Sequence, residues 1–115
     1  MNPVTSNAVY DALPKLTTGN GTIVLSGITA VDVDYVKYGK VVNVIIDDLK
    51  NQSGSDITPS NQAVIAGLPK AAHTQVIDGA LTFAIHTDGR LGFTGATTWL
   101  NGASTWLGFT YITSE

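Results

Sequence analysis

The run Asp34-Tyr-Val-Lys-Tyr-Gly-Lys-Val-Val-Asn-Val-Ile-Ile-Asp-Asp-Leu49 constrains this chain more than any other stretch. On both sides of Tyr38-Gly39-Lys40 the residues are β-branched, aromatic and apolar, which suits strands, and the glycine allows the chain to reverse between them. Past the turn, Val42, Val44 and Ile46 fall on one face, while Val41, Ile45 and Leu49 populate the other. A strand apolar on both faces needs cover on both. The run therefore predicts a hairpin whose second strand packs against a second sheet on one side and another layer or subunit on the other.

The rest of the chain reads as more sheet. Val31, Val33 and Tyr35 alternate with Asp32 and Asp34 in the two-residue period of a half-buried strand, and the alternation slips at Tyr35-Val36, as it would at a bulge or on a face shared by two layers. Asn51 to Ser60 is rich in Ser, Asn, Gly, Asp and Pro and reads as the longest surface loop. Ala63 to Leu68 is a strand ending at Pro69, and Val76-Ile77 starts an irregular stretch. Leu81, Phe83 and Ile85 turn at Thr87-Asp-Gly89 and return through Leu91 and Phe93, with Asp-Gly supplying a strong hairpin signal. In the last run Leu107, Phe109 and Tyr111 share one face and Trp106, Thr110 and Ile112 the other. Together these predict an all-β, antiparallel β-sandwich of about seven to nine strands.

The N-terminal stretch differs. Thr5 or Ser6 can cap a helix in which Val9, Ala12, Leu13 and Leu16 share a face, and Pro14 should stop it near Leu13. Such a helix is shorter than the roughly 12 to 15 residues that hold in water alone, so its apolar side needs a partner. The sequence thus divides into an N-terminal linker or stalk helix at 1–16 and a sandwich domain at 17–115, with Thr17 to Gly21 as hinge. The candidate oligomerisation residues are Val9, Leu13 and Leu16 on the helix and Val41, Ile45 and Leu49 on the central strand.

Composition limits the partners. Charged residues make up 13% of the chain, half of the roughly 25% usual for a soluble domain. The formal net charge is −3, and the six Lys and Arg are scattered, which argues against a nucleic-acid partner. No apolar run is long enough for membrane insertion as a helix. Cysteine is absent, so disulfides contribute nothing.

No catalytic, cofactor or metal constellation emerges. His73 and His86 lack metal-ligand spacing, and the paired aspartates at 32/34 and 47/48 read as solvated strand charges rather than a glycosidase dyad. The tryptophans are more informative, because an exposed indole can stack on the C–H face of a sugar ring while also being a normal core residue. Trp106, inside its strand, reads as core or interface. Trp99, beside the Asn101-Gly-Ala-Ser loop, is the leading candidate ligand contact, with Asn101, Asp88 and His86 as polar companions.

Four pieces of the chain taken together resemble the C-terminal tip domains of bacteriophage and prophage tail-fibre, baseplate and receptor-binding proteins. Asn2-Pro-Val-Thr-Ser-Asn-Ala-Val-Tyr-Asp-Ala-Leu13 is similar to the linker helix before such tips, and Tyr35-Val-Lys-Tyr-Gly-Lys-Val-Val-Asn-Val44 to their first hairpin. Ile65-Ala-Gly-Leu-Pro69 resembles the segment entering a family loop whose tyrosine, arginine and second proline are missing at Lys70 to Thr74. Ile85-His-Thr-Asp-Gly-Arg-Leu91 with Leu107-Gly-Phe-Thr-Tyr-Ile112 resembles the closing hairpin and final strand. The resemblance implies a homotrimer, the helices continuing a stalk from upstream fibre segments and the heads displayed at the tip of a virion. With no enzymatic residues in view, the expected function is recognition of a bacterial surface polysaccharide or other host receptor. A structural trimerisation or spacer module and a free-standing carbohydrate-binding module are the alternatives.

Overall fold

The computed structural model describes residues 16–115. They are all-β and sandwich-like, with ten strands in two antiparallel sheets. In sheet A, β1 (Leu16–Asn20), β4 (Asp32–Tyr38), β5 (Val41–Asn51) and β10 (Ser104–Ile112) lie in that order, and short β3 (Ile28–Thr29) joins the end of β5. In sheet B the order is β2 (Thr22–Ile23), β6 (Gln62–Ala66), β9 (Leu91–Thr94), β8 (Thr82–Ile85) and β7 (Gln75–Ile77). The count exceeds the expected seven to nine because β2 and β3 are two-residue strands. Of the N-terminal helix, residues 2–15, including Val9 and Leu13, lie outside the described residues.

Both predicted hairpins form. Tyr38 pairs with Val41 across Gly39-Lys40, and Ile85 with Leu91 across the loop containing Asp88-Gly89. Gly89 has φ +84 and receives the Leu68 amide on its carbonyl at 3.2 Å, while a Cβ there would run into the Leu68 carbonyl oxygen. Gly102 has a similar φ of +82 with open space around it. Gly89→Ala is therefore expected to cost about 2–4 kcal/mol, strain plus a backbone clash, against about 1 kcal/mol of strain alone for Gly102→Ala. Urea denaturation of the two variants gives the comparison.

Three readings are corrected. Thr17 to Gly21 is no hinge: β1 pairs with β4 from Leu16↔Tyr38 to Asn20↔Asp34, so Leu16 opens a strand. The Tyr35 ring lies across Gly19, so a long-range contact stabilises a strand that glycine would weaken. The chain then crosses to sheet B at Gly21, where a Cβ would stand 2.7 Å from Ile65 and 2.9 Å from Val33. Next, Tyr35-Val36 is not a bulge, because the β4–β5 register is unbroken there. The slip records a change of character on the outward face, from Asp32 and Asp34 to Val36 and Tyr38.

The irregularity sits instead at Asp48, whose φ is +52. Thr105 pairs with Leu49 but Leu107 with Ile46, so β5 carries one extra residue. The extra residue reverses the alternation: Val42, Val44 and Ile46 point inward before it, Leu49 and Asn51 after it. Leu49 is thereby fully buried in the chain's own core and leaves the list of interface candidates.

Sheet A contributes Val33, Val42, Val44, Ile46, Leu107, Phe109 and Tyr111 to the core, and sheet B contributes Ile65, Phe83, Ile85, Leu91 and Phe93. Trp99 closes one end, edge-on to Phe83 and Phe93 with ring centroids 5.8 and 5.4 Å away. At the other, the Tyr111 hydroxyl donates to the Pro69 carbonyl at 2.7 Å. Burial first, then the charge of Glu115 and the neighbouring Tyr35, hold this phenol above its usual range, so it remains a protonated donor.

Candidate binding face

The outward face of sheet A assembles from the strand registers. Leu16, Tyr38, Val41 and Ile112 are cross-strand partners in one continuous row over β1, β4, β5 and β10. The next row is Thr18, Val36, Asn43 and Thr110, in which Asn43 Nδ2 donates to Thr110 Oγ1 at 2.9 Å. Asn20, Asp34, Ile45 and Gly108 follow, and last come Asp32 and Asp47, with Trp106 beside the Asp48 bulge. Of the eleven exposed large hydrophobics among the described residues, seven lie here: Leu16, Val36, Tyr38, Val41, Ile45, Trp106 and Ile112. The face is thus apolar at the hairpin end and acidic at the other.

That division follows the polarity of the domain. The Gly39-Lys40 turn and the C-terminus share one end, where Thr113 N donates to the Lys40 carbonyl and Lys40 Nζ to the Glu115 carbonyl. Leu16, the point at which the chain arrives from residues 1–15, is at that end too. The opposite end carries the polar loop after β5 and the loop before β10, tied by the Ile57↔Trp99 bridge.

The four predicted ligand contacts do not converge. Trp99 has no exposure, and its indole N–H donates to the Ala103 carbonyl at 3.0 Å, so neither ring face can meet a ligand. Asn101 is exposed on the loop end, but its amide and side chain organise the loops: its N–H donates to Asp56 Oδ1 at 2.8 Å and its Oδ1 accepts from Gly54 N at 3.1 Å. His86 and Asp88 lie at the other end of the sandwich, in the β8–β9 loop. There His86 Nε2 meets Asn61 Oδ1 at 2.9 Å, and Asp88 accepts from the Arg90 amide at 3.2 Å and faces Arg90 Nε at 3.2 Å.

The residue that sequence reasoning passed over is Trp106, 65% exposed on β10. Its signal was present in the alternation that put Leu107, Phe109 and Tyr111 together, because one face of that strand had to point away from the core. Val41, at 44%, and Ile45, at 51%, lie outward as the pattern required, but the described chain itself supplies no layer over them.

Among the described residues no group of three His, Cys, Asp or Glu side chains gathers as a metal-ion ligand set, and no helix is long and apolar enough to cross a membrane. Comparison of the chain with protein-family models, with curated proteins and with solved structures gave no match.

Proposed function

We propose that this chain is a non-enzymatic tip domain of a bacteriophage tail fibre, which associates with two further copies of itself and recognises a carbohydrate on the bacterial surface as part of the virion. The observation that carries the reading is the apolar face of sheet A, over which no other described residue packs. Five large side chains of its apolar half, Leu16, Val36, Tyr38, Val41 and Ile112, each expose about half of a surface of roughly 150–200 Å² and present on the order of 450 Å². That is as large as the largest apolar patch on a typical monomer, and with the polar rows beside it such a patch gives the centre of an interface of roughly 800 Å² per partner.

A second copy of the chain fits this face better than a charged partner, since the row Leu16, Tyr38, Val41 and Ile112 offers no ionised group to pair with. The polarity of the domain supports the display part of the reading. Upstream fibre segments would arrive through residues 1–15 at the apolar end, leaving the loops at the opposite end facing the host.

Size-exclusion chromatography with light scattering tests the reading. The expected mass is three times the 12.0 kDa of one chain. A monodisperse monomer at micromolar concentration would overturn it, and a trimer that binds no bacterial cells or surface polysaccharide would leave the domain a spacer.

A further inference from the structure

We infer that the acidic half of the sheet A face holds a subsite for one uncharged pyranose ring, with the indole of Trp106 as its platform. The inference rests on the carbohydrate-binding part of the proposed function and not on its oligomeric part. Four features of the face point to it.

Trp106 is 65% exposed, and the alternation of β10 aims its side chain outward, opposite the Asp48 bulge of β5. Two residues along the same face is Gly108, where a Cβ would find only the Ile45 Cδ1 within 4 Å, at 3.5 Å. Gly108 therefore leaves a shallow step beside the indole, floored by backbone and bordered by Ile45, of the kind a flat ring can enter with its C–H face on the aromatic surface. Polar groups stand around the step. Asn43 and Thr110 are already bonded to each other at 2.9 Å, which orients the Asn43 amide and leaves its oxygen available as an acceptor. On the neighbouring strand Asp47 projects outward opposite Asp32, with Asp34, whose Oδ1 accepts from Asn20 Nδ2, on the same face, and carboxylate oxygens accept hydroxyl hydrogens from adjacent ring carbons.

The same carboxylates set the specificity. Three outward aspartates outnumber Lys50, which the reversed alternation turns outward opposite Ser104, so this part of the face stays net negative and disfavours phosphate, sialate and uronate groups; the ring taken here is a neutral hexose or N-acetylhexosamine, not an anionic sugar. They also keep the subsite open in an assembly. Packing this half against two other copies would bring nine carboxylates together with only three Lys50 side chains among them, so the apolar half makes the contact and the acidic half stays in water.

Saturation-transfer NMR on the full chain decides the matter, with methyl β-glucopyranoside and N-acetylglucosamine as neutral probes and glucuronate and N-acetylneuraminate as anionic ones. Expected are signals from the neutral probes at millimolar concentration, weakened by about tenfold or more in affinity by Trp106→Ala and largely kept by Trp106→Phe. Asp47→Asn is expected to let glucuronate bind. Absence of transfer to either neutral probe, equal transfer to glucuronate in the unmodified chain, or binding unchanged by Trp106→Ala would each overturn the inference. Light scattering on the Trp106→Ala variant separates the two readings: an unchanged mass with binding lost supports the subsite, and a fall to monomer would place Trp106 in the interface and overturn it. Sugar binding by a monomeric unmodified chain would instead leave the subsite standing and remove the trimer.

Discussion

Asn51→Leu is expected to destabilise the domain by about 3–5 kcal/mol, a loss of roughly 15–25 °C in Tm for a domain of this size. Leucine keeps the branched outline but is the larger residue, so overpacking at this fully buried site adds to the polar loss. Asn51 is fully buried, and its side chain satisfies every bond it can make: Nδ2 donates to the carbonyls of Ser55 at 2.8 Å and Trp99 at 3.1 Å, and Oδ1 accepts from the Ser53 amide at 3.0 Å and hydroxyl at 2.6 Å. Its backbone adds Asn51 N to the Ala103 carbonyl and Gly102 N to its own carbonyl. One side chain therefore joins the loop after β5 to the loop before β10. Its removal takes one of two donors from each of these carbonyls, which keep the Ser53 hydroxyl and the Ile57 amide respectively, and leaves the Ser53 amide without its acceptor, a loss that costs more than the net worth of that bond. Thermal unfolding followed by circular dichroism measures it, and a shift of only a few degrees would show that the backbone bridge Ile57↔Trp99 holds this end without Asn51.

The same residue shows where sequence reasoning reaches its limit. The hairpins at Gly39-Lys40 and Asp88-Gly89 were legible because turn chemistry and two-residue alternation are local, and the structure places both as read. Asn51 was assigned to the loop because Asn is common in loops, and nothing near it announced that a bulge three residues earlier would turn it inward. That bulge depends on β3 and β10 both pairing with β5, which is information held more than twenty residues away on one side and more than fifty on the other. Trp99 and Trp106 exchanged places for a related reason. Trp106 lies in a strand whose inner face was already filled by Leu107, Phe109 and Tyr111, while Trp99 enters the core from a loop, against Phe83 and Phe93. Periodicity speaks for strands and is silent about loop side chains that plug an open end. The candidate face was half legible: Val41 and Ile45 were singled out, but its acidic end and Trp106 became visible only when four strands lay side by side.

For the trimer proposed above, Val41→Asp is expected to give monomers while leaving each domain folded. Val41 stands mid-row between Tyr38 and Ile112, 44% exposed and away from the core that Val42 and Val44 fill. In an isolated chain the change exchanges one outward strand residue for a poorer β former, a cost of about 1 kcal/mol or less. In a trimer each copy carries the carboxylate into an apolar contact, and the effective penalty is several kcal/mol per ion, because the row contains no cation to receive it. Lys40, the neighbouring base, is held by the Ser114 and Glu115 carbonyls at 3.4 and 2.7 Å. Val76→Asp is the matched control, since Val76 is 57% exposed on the edge strand of sheet B and its carboxylate would face water in either state. Light scattering at equal concentrations should give a monomer mass for Val41→Asp and an unchanged trimer for Val76→Asp, with nearly the same denaturation midpoint for the Val41→Asp monomer at high dilution as for dissociated wild type. A Val41→Asp variant that kept the trimer mass would move the contact off sheet A. Loss of the trimer in both variants would trace the effect to added negative charge on a chain already at −3, and not to the row.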